Sequence, residues 1–202
     1  MFERKSPYIV AENILKQKYP GATLVFVAGS FNRNEETEFS DIDLVVIFPK
    51  LDAAWRESFM FEGWPVEAFV HDSETLNYFF NEVDGKDGIP SLPSMVAEGP
   101  VIPENHELGI NLKSLAQKVL DKGPPKWRDE AIYHQRYAIS DLVDDLRAPR
   151  NQEETNAVVG SLHEVLGNFY FRANDLWSAS RKHIPRRLSK IDPVLYNLHS
   201  AL

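Results

Sequence analysis

Three short runs of apolar residues, all within the first 72 positions, do most to limit the fold. They are Ala22–Gly29, Asp41–Phe48 and Trp64–Asp72. Each is rich in Val or Phe, too short for a core helix and bounded by turn residues, so each predicts a buried strand. Pro20-Gly21 and Gly29 bracket the first, and Pro49 ends the second. Ahead of them, Ile9, Val10, Ile14 and Leu15 recur at near-helical spacing over 7–19. Segment 52–60 fits neither period. Residues 73–81 predict a short helix with Ser73 as N-cap, and 84–103 reads as loop, with prolines at 90, 93 and 100. Leu108, Leu112, Leu115 and Val119 then mark a helix over 107–122.

The strongest punctuation is Gly123-Pro124-Pro125. Beyond it the pattern is helical: one helix over 126–147, a second over 152–179, and a shorter one from about Asp192-Pro193. The expected class is α+β, a small mixed β-sheet domain with flanking helices (1–123) followed by a C-terminal helical bundle (124–202). On these helices Tyr133, Tyr137, Phe169, Tyr170 and Trp177 read as core rather than as a base-stacking platform.

Composition narrows the function. With 43% hydrophobic residues in 202 the chain can bury a core. A net charge of −8 argues against a general nucleic-acid binder, which grips phosphates with dense Lys and Arg, so no stable nucleic-acid partner is expected. The chain has 0 cysteines, which excludes disulfides, thiolate catalysis and cysteine-type zinc sites. His134, His163 and His183 show no metal-ligand spacing. The first ten residues lack the apolar core of a secretory signal, and no run of about 18 apolar residues spans a membrane. The expected location is the cytoplasm.

The chemistry concentrates in residues 29–43. Asp41 and Asp43 are two apart, so on a strand their carboxylates share a face. Two such charges repel, and a divalent cation resolves the repulsion. Clustered hard oxygens suit Mg²⁺ together with substrate phosphates. Gly29 and Ser30 follow a strand, where a small residue lets phosphate oxygens approach the backbone. By itself, an aspartate pair at a strand start is a solvated feature, and Ser30 is a plain helix cap.

Taken together, Gly29, Ser30, Arg33, Ser40, Asp41 and Asp43 resemble the nucleotidyltransferase superfamily typified by DNA polymerase β. The likeness is closest to its small bacterial branch, the kanamycin nucleotidyltransferase and the minimal nucleotidyltransferases, where Gly-Ser-x-x-Arg precedes Ser-Asp-x-Asp. The motif covers residues 24–48. The resemblance implies a third carboxylate on a neighbouring strand, for which Glu67 is the candidate and Asp72 and Glu62 the rivals. It implies two Mg²⁺ ions held by Asp41, Asp43 and Glu67, with Gly29, Ser30, Arg33 and Ser40 around a nucleoside triphosphate donor. Arg33 reads equally well as a solvated loop residue.

The implied reaction is transfer of a nucleoside monophosphate, AMP from ATP, to a hydroxyl of a small-molecule acceptor, aminoglycoside-like by analogy. In antibiotic-modifying relatives the helical domain supplies a general base. Asp141 and Asp145, four apart on one helical face, are the candidates, with a plain acidic surface as the alternative. Arg181, Lys182, Arg186, Arg187 and Lys190 form a basic cluster, read either as a solvated helix end or as a triphosphate contact. The resemblance is also compatible with a homodimer. Modification of a protein or RNA, as in toxin–antitoxin systems, and a non-catalytic nucleotide sensor are the alternative functions.

Overall fold

The structure, a computed structural model, describes residues 4–201. Among these a five-stranded sheet has the order β3-β4-β2-β1-β5. Its strands are β1 (Leu24–Ala28), β2 (Ile42–Ile47), β3 (Trp55–Phe61), β4 (Trp64–His71) and β5 (Val101–Ile102). β2 and β4 run parallel, and every other pairing is antiparallel. The three apolar runs of the sequence are the three central strands. The fold is α+β, with the mixed sheet preceding a C-terminal helical region.

Each face of the sheet is covered because alternate residues of the central strands are apolar on both sides. On one face Val25, Val27, Leu44, Val46, Val66 and Ala68 pack under Val10, Ala11 and Ile14 of α1 (Pro7–Gln17). On the other, Leu24, Phe26, Val45 and Ile47 pack against the next helices of the chain. These are α2 (Ser73–Tyr78), a π-turn over Phe79–Val83, α4 (Ser91–Glu98) and α5 (Glu107–Lys122), which contribute Leu76, Phe80, Leu92, Val96, Leu112 and Ala116. A four-residue helix, α3 (Asp84–Asp87), lies between the π-turn and α4.

Several local expectations change. Segment 52–60 contains most of β3, an edge strand that exposes Trp55 and Met60 as well as Arg56 and Ser58, so its sequence does not alternate cleanly between polar and apolar. Glu62 (φ 46°) and Gly63 (φ 82°) form the two-residue turn into β4, the paired left-handed conformation that tight hairpins favour. The N-cap of α2 is Asp72 rather than Ser73, with its carboxylate accepting from the Thr75 N–H at 2.8 Å. The stretch 84–103 is not loop throughout. Pro93 sits in the first turn of α4, where a proline is tolerated, and Pro100 precedes β5.

Two compact units result. One runs through to Asp84 and resumes over Ser91–Lys122, and it holds the sheet. The other comprises Gly85–Pro90 and the chain from Gly123 onward. Its helices are α6 (Asp129–Arg147), α7 (Gln152–Ala173), α8 (Ile184–Ile191) and α9 (Pro193–His199). α7 stops at Ala173, short of the expected 179, and its last turns pack Phe171 with Ile184 and Leu188 of α8. Gly167 of α7 lies against Ile184, so close that a β-carbon would meet its Cγ2 at 2.3 Å. Trp177 is buried and Phe169 and Tyr170 are half-buried, but Tyr133 and Tyr137 are 70% and 67% exposed. They are not core, because α6 buries no residue fully. No helix among the described residues is long and apolar enough to cross a membrane.

Candidate active site

β1 delivers the chain into a tight turn at Gly29, whose φ of 140° and ψ of 174° belong to a region that side chains rarely adopt. The turn continues as a 3₁₀ segment, Ser30–Arg33. It is held from three sides. Asn32 Nδ2 donates to the Val27 carbonyl at 2.8 Å, and Tyr8 donates to Asn32 Oδ1 at 2.9 Å. Ser30 and Ser40 share a hydroxyl hydrogen bond at 2.9 Å, and Ser40 Oγ also accepts from the Thr37 N–H at 2.9 Å. The Ser30 side chain makes no capping bond to its own helix. It ties the Gly-Ser turn to the residue preceding Asp41 instead.

That tie sets the entry to β2. Asp43 pairs in register with Ala28 of β1 on one side and with Glu67 of β4 on the other. Registered residues of neighbouring strands project from the same face, so the Asp43 and Glu67 side chains stand side by side. Asp41, two residues upstream, is exposed and shares their parity. Asp43 and Glu67 leave the sheet on the face covered by α2, α4 and α5, and Asp41 lies in the chain just ahead of β2. Further along the same face, Val45 and Phe69 pack under those helices.

The rivals to Glu67 are engaged elsewhere. Asp72 is buried at the far end of β4, capping α2 and accepting from the Leu51 N–H at 3.0 Å. Glu62 is in the β3–β4 turn, paired with Lys5 at 3.1 Å. Arg33 is exposed beside Glu35 at 3.2 Å and Glu98 at 3.5 Å.

One participant escaped the sequence reading. Arg56 of β3 donates from Nε to Glu67 Oε1 at 2.6 Å, and its Nη2 makes a second, shorter contact to the same oxygen. Read as a strand hairpinned on Glu62-Gly63, segment 55–61 would have placed Arg56 diagonal to Glu67. The ambiguity of that segment hid it.

Hard oxygen donors on adjacent strands fit a magnesium ion chemically. Among the described residues, however, no three His, Cys, Asp or Glu side chains converge closely enough to hold a metal. The backbone brings the carboxylates to one face, while one oxygen of Glu67 is turned to Arg56.

Residues 10–86 match the family model for the nucleotidyltransferase domain, a span that contains the turn, the aspartates and Glu67. This chain carries a nucleotidyltransferase domain. No curated protein matches it. Among solved structures it is similar to a nucleotidyltransferase-like protein from Exiguobacterium sibiricum 255-15, at 12% identity and a TM-score of 0.44. That alignment covers 95% of this chain and 65% of the other.

Outside the nucleotidyltransferase domain, Asp141 and Asp145 are exposed one turn apart on α6, in the second unit. The basic cluster lies on the 3₁₀ turn Arg181–His183 and α8 of that unit. There Arg181 pairs with Glu164 at 2.6 Å and Arg187 stacks over Phe171 at 5.4 Å. His163 packs against His199 with ring centroids 3.6 Å apart.

Proposed function

We propose that the nucleotidyltransferase domain transfers a nucleoside monophosphate, AMP from ATP, to a hydroxyl of a small-molecule acceptor with Mg²⁺ as cofactor. The observation that carries this reading is the register of Asp43 with Glu67, with Asp41 just ahead of the strand and its backbone close to the Gly29 turn. Asp41, Asp43 and Glu67 would hold two Mg²⁺ ions, which supply acidification of the acceptor hydroxyl and charge neutralisation on the leaving pyrophosphate.

The remaining roles belong to the chain itself. The turn at Gly29 and Ser30 presents backbone N–H groups and a hydroxyl to triphosphate oxygens. Ser40 keeps the turn and Asp41 in step. Arg33, exposed beside two glutamates, exchanges them for phosphate when the donor binds. Positioning and electrostatics then supply the rate enhancement, as in phosphoryl transfer generally.

We assign the first domain to residues 1–123 and acceptor recognition to the helical domain, 124–202. The exposed carboxylates of Asp141 and Asp145 suit an acceptor bearing ammonium groups, an aminoglycoside-like polyamine being the natural class. One of the two serves as base toward its hydroxyl.

The test is calorimetric titration of ATP, then GTP, CTP and UTP, with Mg²⁺, into the wild type and Asp43→Ala. Metal-dependent binding that is lost in the variant is the expected result. Failure of every triphosphate to bind would reduce the aspartate pair to a strand start.

A further inference from the structure

Glu67 already has a cation hydrogen-bonded to it, and the cation comes from the edge strand. In the β3–β4 register Ser58 lies opposite Glu67 and Arg56 opposite Phe69. Arg56 therefore reaches diagonally across one pair to the carboxylate, a reach that long side chains make readily. Both of its contacts, from Nε and Nη2, fall on Oε1. A carboxylate oxygen offers two lone pairs in its plane, so Oε1 is fully engaged. A metal ion sharing that oxygen must displace at least one N–H.

The two partners differ in freedom to move. The Arg56 side chain is 61% exposed and that of Glu67 21% exposed. Glu67 is fixed in a central strand, whereas Arg56 can turn outward into water. It also has a second seat, the ring of Phe69, with the guanidinium 5.0 Å from the centroid. A cation resting on an aromatic face keeps a favourable contact after the carboxylate releases it.

We propose that Arg56 is a resident counter-cation that competes with divalent metal for Glu67 Oε1, so that metal seated on that oxygen opens the Arg56–Glu67 pair. The proposal rests on the reading that Asp41, Asp43 and Glu67 form the metal site. Without metal, Arg56 offsets part of the negative charge gathered on this sheet face. When metal enters, one positive charge withdraws as two arrive. The coupling is reciprocal: bound metal weakens the ion pair by the same factor by which the closed pair weakens metal binding.

The experiment titrates the protein with Mn²⁺ alone, following free ion by electron paramagnetic resonance, in the wild type, Arg56→Ala, Arg56→Lys and Asp43→Ala. Thermal melts confirm that each variant is folded. Competition predicts that Arg56→Ala binds Mn²⁺ more tightly, by up to about fivefold, the range expected for loss of a partly exposed ion pair. Arg56→Lys, which keeps the charge, stays closer to the wild type. It also predicts that the Arg56 Nε–H resonance, assigned by its absence in Arg56→Lys, shifts when diamagnetic Mg²⁺ is added. Equal or weaker binding by Arg56→Ala, with binding lost in Asp43→Ala, overturns the competition and leaves the metal site standing. Binding that survives Asp43→Ala, or no binding in the wild type and Arg56→Ala alike, removes the metal site and this proposal with it.

Discussion

The backbone of Gly29 closes on that of Asp41, so that a β-carbon at position 29 would stand 3.2 Å from the Asp41 carbonyl oxygen and 2.5 Å from the Phe31 ring. The residue shapes the turn and also sets how near the turn lies to the first aspartate. Gly29→Ala is expected to destabilise the protein by about 1–3 kcal/mol, the usual magnitude for a side chain forced into a glycine-only region. It should also weaken Mg²⁺–ATP binding, because relief of the clash moves the backbone at Asp41. Denaturant midpoints and calorimetry on the same samples separate the two effects.

Asp43→Asn and Glu67→Gln keep shape and remove charge. Each should lower metal-dependent pyrophosphate release roughly a hundredfold or more, in line with the loss of a single preorganised electrostatic group. The melting temperature should stay close to that of the wild type, since the partly exposed Arg56 pair that Glu67→Gln weakens is worth no more than about 1 kcal/mol. A large drop in melting temperature would show that the residues serve the fold instead.

Stability should fall with acid in two separate steps. His71 is buried with its ring against Phe79, centroids 4.8 Å apart, and burial pushes its pKa down to about 4 although nearby Asp72 opposes the shift. The unfolded chain, at the ordinary value near 6.5, takes up the proton first. His71 therefore leaves stability intact above about pH 6.5 and erodes it from there down to about 4, by up to about 3 kcal/mol. For Asp72, burial raises the carboxyl, but hydrogen bonds from Thr75 and Leu51, with Lys50 nearby, outweigh it and hold the group at about 2. Its contribution is present above the ordinary value near 3.8 and is lost below that, toward pH 2. Urea titrations across pH should show both steps, and His71→Phe should abolish the first alone.

Two glycines of α7 should respond to alanine with opposite signs. Gly160 has nothing within 4 Å of an added β-carbon, so Gly160→Ala should stabilise by about 0.5–1 kcal/mol through helix propensity. Gly167→Ala gains the same propensity but drives a methyl into Ile184, and overpacking of about 1–3 kcal/mol outweighs it. Ile184→Ala removes the Cγ2 that the new methyl would meet, so the double variant Gly167→Ala/Ile184→Ala should lose less than the two single changes summed. Thermal melts of the four variants decide the matter.

The sequence exposed what periodicity and turn chemistry encode. The central strands, α1, α5 and the end of α6 followed from apolar spacing, and the place of Asp43 at the start of a strand followed from the apolar run behind it. Features that depend on pairing stayed hidden. β3 lies at the sheet edge, where none of its residues is fully buried, and its polar residues Arg56, Glu57 and Ser58 masked the alternation. The prolines between 90 and 100 suggested a loop because their positions inside a helix's first turn or before a strand could not be told from composition. Tyr133 and Tyr137 fitted a helical stripe, but spacing alone does not say whether a stripe faces a partner element or water. Arg56 was invisible for a related reason: its role arises from a cross-strand register, which no single segment contains.

The turn at Glu62-Gly63 therefore acts at a distance. With only two residues between β3 and β4, it fixes which β3 side chain arrives beside Glu67. Slipping the pairing by one residue would swing Arg56 to the opposite face, since strand faces alternate. Glu67 would then face another neighbour with its own sequence unchanged. A lengthened hairpin is thus a route by which metal affinity can drift among descendants of this chain, through an insertion that touches neither substrate nor ligand.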